Sequence, residues 1–143
     1  MPLDPRRLAR VHRVRTLQLG LAQADEARAR ETAASEAALS DRIHRLADAV
    51  APQAAAHGAI SLAASAYYRE RLHQSAAAAA ERVRAAEARA EQRAEATRGA
   101  KRDQTAAEKL LDRSLAARDA AERRAMEDAP QHRRAGLGDT DRN

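Results

Sequence analysis

The chain predicts an all-α, elongated fold: an antiparallel two-helix coiled-coil hairpin. Three observations carry that prediction. Proline is absent from Arg6–Ala51 and from Gln53–Ala129, and proline is what ends or kinks helices, since it lacks an N–H and clashes with the preceding turn. The residues filling those stretches are mostly alanine, arginine, glutamate and glutamine, the best helix formers. A single breaker cluster, Pro52 to Gly58, separates the two stretches. At about 1.5 Å per residue the helices would reach roughly 70 Å and 100 Å, far longer than a compact domain of this size requires.

Helix one is expected over about residues 5–51. Asp4 is placed to cap it, and Pro5 then falls at the first helical position, where a missing N–H costs nothing. Leu8, Val11, Val14, Leu17 and Leu21 follow at spacings of three and four, the spacing of one helical face. Only alanines mark a seam between Ala22 and Ala38, and a heptad-like run returns with Leu39, Ile43, Leu46 and Val50. The two runs are out of register, so a shift through the alanines and an imperfect coiled coil are expected.

The connection, about residues 52–60, pairs a proline that disfavours helix before it with a glycine suited to a left-handed turn. Ser61 is a candidate cap for helix two, expected over about 61–128. Leu72, Ala76, Ala79, Val83, Ala86 and Ala90 alternate by four and three. Residues 91–106 are polar nearly all round and contain Gly99, where fraying or bending is expected. Leu110, Leu111 and Leu115 form the last apolar cluster, and Pro130, Gly136 and Gly138 mark a disordered tail over 130–143. Antiparallel pairing sets Leu8–Leu21 against roughly residues 90–106. The longer helix then overhangs by about 20 residues, bends, or slides its leucines back to the N-terminal stripe.

Composition excludes several classes of function. Of the hydrophobic residues 40 are alanine, and the only aromatics are Tyr67 and Tyr68, so a conventional packed interior is out of reach. With no cysteine there is neither a disulfide framework nor a thiolate metal site. His12, His44, His57, His73 and His132 show no HxxxH or HExxH spacing. Phosphate loops, GxSxG and nucleophile constellations are missing, and a two-helix rod has no deep pocket. The reading is therefore of a protein that is not an enzyme and takes no cofactor or metal. No apolar run approaches the roughly 20 residues of a membrane span, and no secretory signal is evident, so the chain reads as cytoplasmic.

The formal charge of +5 is concentrated at one end. Residues 1–15 hold Arg6, Arg7, Arg10, Arg13 and Arg15 against Asp4 alone, giving +4, and residues 16–143 supply the remaining +1. The Leu8–Leu21 stripe flanked by these arginines is either a basic amphipathic helix for a membrane or an acidic protein, or a coiled-coil face with arginines to solvent. No aromatic platform for bases accompanies the arginines, which argues against nucleic acid. Tyr67 and Tyr68 lie about 100° apart on a helix, so both cannot enter one narrow seam. One is a candidate binding anchor, and the bland reading is that they cover the wide end of the hairpin near the turn.

The segment PRRLARVHRVRTLQLGLAQA, the mid-chain break, and the ending AAEKLLDRSLAARDAAERRAMEDA together resemble the flagellar type III export family called FliJ and its YscO-type virulence relatives. The EKL-containing part of that ending is Glu108, Lys109, Leu110, Leu111, Asp112 and Arg113. The resemblance implies an antiparallel two-helix coiled coil without enzymatic activity. It implies docking as a stalk on a hexameric export ATPase, with contacts to the cytoplasmic domain of the export gate and to substrate chaperones. It implies a cytoplasmic location, peripheral at the inner face of the cell membrane. Mapped onto this chain, the ATPase end would be Arg6, Arg7, Arg10, Arg13, Arg15, Glu108, Lys109, Arg113, Arg123 and Arg124. The exposed part of helix two around Tyr67, Tyr68, Leu72 and Val83 would face the gate. Against this stand two other readings: a coiled-coil scaffold or adaptor of another assembly, and a basic arm for a membrane surface or nucleic acid.

Overall fold

The computed structural model describes residues 4–50 and 59–129. They form two α-helices, α1 (Pro5–Ala49) and α2 (Ala59–Glu127), packed against each other as an all-α hairpin. Of the predicted turn at about 52–60, residues 52–58 lie outside the described residues, as does the predicted tail at 130–143, while residues 59 and 60 belong to α2 rather than to the turn.

The start of α1 follows the expected chemistry. The Asp4 carboxylate accepts the Arg6 N–H at 2.9 Å, and the Asp4 carbonyl accepts from Arg7 and Leu8. Pro5 occupies the first turn, where no donor is missed. At the other end Val50 caps the helix by donating to the Leu46 carbonyl at 3.3 Å. Ser61 does not cap α2, because the helix is already under way at Ala59.

Cross-helix contacts fix the register. Arg15 Nη1 lies 3.2 Å from Asp103 Oδ2, the Thr97 hydroxyl donates to the Ala22 carbonyl at 3.2 Å, and Arg82 Nε lies 3.2 Å from Glu36 Oε2. The Gln104 amide donates to His12 Nε2 at 3.2 Å. Paired residue numbers thus sum to between 116 and 119 from the open end to the middle of the rod. Leu8 is level with Leu110 and Leu111, so α2 extends past the start of α1 by about fourteen residues. Of the leucine cluster, Leu110 and Leu111 reach the level of Leu8, while Leu115 lies on the overhang, which is shorter than the predicted 20 residues.

The expected shift through the alanines is absent. Along α1 the covered positions include Leu8, His12, Arg15, Leu19, Ala22, Glu26, Ala29, Ala33, Glu36, Ser40, Ile43, Ala47 and Val50, with Pro5, Ala9, Asp25 and Ala37 covered beside them. The series from Leu8 to Val50 is an unbroken alternation of four and three, one coiled-coil seam over the whole helix. Past Leu8 the expected stripe lies outside it: Val11 is 47 % exposed, Val14 51 %, Leu17 66 % and Leu21 68 %. The cause lies in α2. Its run Leu72, Ala76, Ala79, Val83, Ala86, Ala90 keeps one heptad frame, and four of the six are alanines requiring close helix approach. A partner that changed register midway would break that contact, so continuity outweighs the burial of those larger side chains. The aliphatic stem of Arg15 and the His12 ring fill seam positions that leucines did not.

The polar stretch 91–106 remains helical and stays in the seam. Thr97 and Gln104 contribute hydrogen bonds where apolar side chains are lacking, while Ala94 and Ala107 are buried. Gly99 neither frays nor breaks α2. Arg98 reaches back to Glu91 at 2.7 Å and Glu95 at 2.8 Å, and Arg102 reaches Glu95 at 3.2 Å, so a ladder of charges straddles the glycine. Hydrogen bonds from Arg98 and then Arg102 hold the Glu95 carboxyl below its ordinary value. A Cβ at Gly99 would meet only Arg102 Nη2 at 3.7 Å, ordinary contact with a flexible side chain. Gly99→Ala should therefore raise unfolding stability by about 1 kcal/mol, read as a higher urea midpoint by circular dichroism.

Candidate functional site

The open end of the hairpin gathers the basic residues, and burial determines which of them face outward. Arg6, Arg7, Arg10 and Arg13 are exposed, on the side of α1 away from α2. None of the four makes an ion pair among the described residues. Val14, Leu17 and Leu21 continue the same outward side, one to three turns further along. Together they make a straight face about 25 Å long, cationic at its start and apolar at its far end. Four unpaired guanidinium groups and three solvated aliphatic side chains on one helix face suit an anionic partner with an apolar contact zone.

Arg15 does not belong to this face. It sits in the seam with its guanidinium held by Asp103 and by the Gln18 side chain, both across or along the hairpin. Arg15 thus differs from the other four predicted arginines at this end: its charge is paired across the hairpin at the rim of the seam. Glu108, Lys109 and Arg113 are exposed on α2, level with the first two turns of α1. Arg123 and Arg124 lie on the overhang, beyond the start of α1, and are also exposed. Between them Arg118 is bridged to Glu122 at 2.8 Å, and Glu122 with Asp119 and Asp4 raises the Arg118 pKa further above its usual range. The open end therefore has a basic α1 face and a charge-balanced α2 overhang.

The four residues at the other end do not share one exposed face. Tyr67 is 66 % and Tyr68 53 % exposed, so neither enters the seam. Leu72 and Val83 are half-buried between the helices and present little to a partner. Residues that sequence reasoning did not assign to the site are Val14, Leu17 and Leu21 as outward anchors. A signal for them existed: carrying the frame of Leu72–Ala90 through the hairpin places Leu19 and Ala22 in the seam and leaves Leu17 and Leu21 outside.

Among the described residues no cluster of three metal-binding side chains occurs, and no helix is long and apolar enough to cross a membrane. The indentations along the rod are open grooves at the flanks of the seam, lined on one side by Thr32, Arg89 and Arg93 and on the other by Gln23, Arg30 and Lys101. No protein-family model, curated protein or solved structure matches the chain.

Proposed function

We propose that this chain is a non-enzymatic component of a flagellar type III protein export apparatus. In this reading it docks by its open end, as a coiled-coil stalk, on the hexameric export ATPase, and helps deliver chaperone-bound substrates to the export gate. It works in the cytoplasm at the inner face of the membrane. The observation that carries the proposal is the outward face of α1, where Arg6, Arg7, Arg10 and Arg13, in no ion pair among the described residues, lie beside Val14, Leu17 and Leu21 at the open end of the rod, next to the base of the α2 overhang. A rod end of that kind fits a ring lumen lined with acidic loops, and its charge would steer and orient entry. The likeness of both chain ends to the FliJ family supplies the partner. The rest of the surface is charge-balanced, which confines docking to one end.

The test is the hydrolysis rate of the organism's export ATPase titrated with the purified chain. A saturable rise at a ratio well below one chain per ATPase monomer is expected. Changing Arg6, Arg7, Arg10 and Arg13 together to Gln should weaken half-saturation at least about tenfold and flatten its salt dependence. An unchanged rate with a confirmed hexamer would contradict the proposal and favour a scaffold of another assembly. Salt-sensitive binding to anionic vesicles in that case would assign the face to a bilayer.

A further inference from the structure

The two edges of the hairpin, where the seam meets solvent, differ in chemistry. Thr32 and Arg89 line the same flanking groove, so they lie on one edge. Steps of seven residues from Thr32 reach Val11, Leu39 and Leu46, and steps of seven from Arg89 reach Tyr68 and Leu110. These five large apolar side chains are 43–53 % exposed. On the opposite edge, defined by Gln23, Arg30, Ala94 and Lys101, the same stepping meets small or polar residues. Leu115 is the exception, and it lies on the α2 overhang. Meanwhile the seam buries little: Leu8 is the only buried side chain larger than serine among the described residues. Many of the larger apolar groups are on the outside of the rod, while Leu19, Ile43, Val50, Leu72 and Val83 are half-buried in the seam.

We infer that this edge is the interface of an antiparallel homodimer, formed with a second copy of the chain about a two-fold axis near Arg89. The edge is self-complementary only in that sense. Four of its five apolar residues cluster at the two ends, Val11 with Leu110 and Leu46 with Tyr68, and Leu39 falls level with Gln18 of the second copy. A two-fold axis across the rod lays each cluster on the other copy's opposite cluster, as an isologous contact requires. The same operation brings Asp25, bridged to Arg28 within its own helix, level with the span between Arg82, which is paired with Glu36, and Arg89 of the second copy, so acid and base alternate across the axis. A parallel arrangement would instead stack the two +4 termini on each other. From Val11 to Leu46 the edge is about 50 Å long. At the roughly 10 Å width of a helix, pairing would bury over ~1,000 Å² in total, the size of a specific interface. The inference is independent of the export reading, since it uses the edge and leaves the outward face of α1 free.

Sedimentation equilibrium of the full chain, with its helicity followed by circular dichroism, tests this. The parent chain should be dimeric at tens of micromolar. Leu46→Glu should weaken dimerisation at least about tenfold with helicity retained, and Leu115→Glu should not. Because the chain has no cysteine, single substitutions report geometry cleanly. Arg89→Cys, near the axis, should form a disulfide-linked dimer under mild oxidation, and Gln23→Cys, on the other edge, should not. A monomer at those concentrations, equal cross-linking from both edges, or equal weakening by Leu46→Glu and Leu115→Glu would overturn the inference.

Discussion

Ala79→Asp should cost the hairpin about 3 kcal/mol or more and lower its urea midpoint accordingly, with circular dichroism as the readout. Ala79 is 0 % exposed and sits level with the buried Ser40 of α1. The helices approach there with only a methyl group between them, so a carboxylate would be desolvated without a partner. Aspartate is too short to carry its charge out to water past the flanking residues, as glutamate or arginine would. Helix propensity adds a smaller loss of about 0.7 kcal/mol. Ala78→Asp isolates that smaller term, because Ala78 is exposed one position away. The two variants should differ by at least about 2 kcal/mol. Equal effects would mean the helices are not in contact at this level.

Much of this architecture was legible in the sequence, for reasons that belong to local chemistry. The cap at Asp4 and the proline after it act within one turn, and so do the missing breakers over Gln53–Ala129. The α2 frame from Leu72 to Ala90 was readable because its apolar residues keep a single period. The α1 frame was not, because apolar spacing there pointed at two incompatible stripes. Only the partner helix decides between them, and that is long-range information. Local spacing favoured Leu17 and Leu21, whereas pairing with an alanine seam selected Leu19 and Ala22. Ser61 was misread for a related reason. A residue able to cap does so only where the helix has not already begun.

The candidate site shows the same division. The charge asymmetry of residues 1–15 is a property of composition and needed no structure. Which arginines are paired did need it, since Arg15 meets Asp103 across the seam while Arg13 makes no ion pair among the described residues. Leu72 and Val83 could be read either as seam or as surface from their spacing with Tyr67 and Tyr68. Burial assigns them to the seam.

A leucine series gives the second large effect. Leu8→Ala should destabilise by about 2 kcal/mol, since Leu8 is 8 % exposed and its removal leaves a gap against α2. Leu17→Ala and Leu21→Ala should each change stability by less than about 0.5 kcal/mol, because they remove solvated side chains and alanine is a good helix former. The outward leucines should matter for docking instead, and their loss should weaken ATPase stimulation without altering the fold.

The measurement that tests the account most directly is the urea unfolding midpoint of the double variant Leu17→Ala, Leu21→Ala beside that of Leu8→Ala. The account predicts a midpoint close to the parent's for the double variant and a clearly lowered one for Leu8→Ala. A double variant destabilised by several kcal/mol would place those leucines in the seam. It would also remove the outward face on which the docking proposal stands.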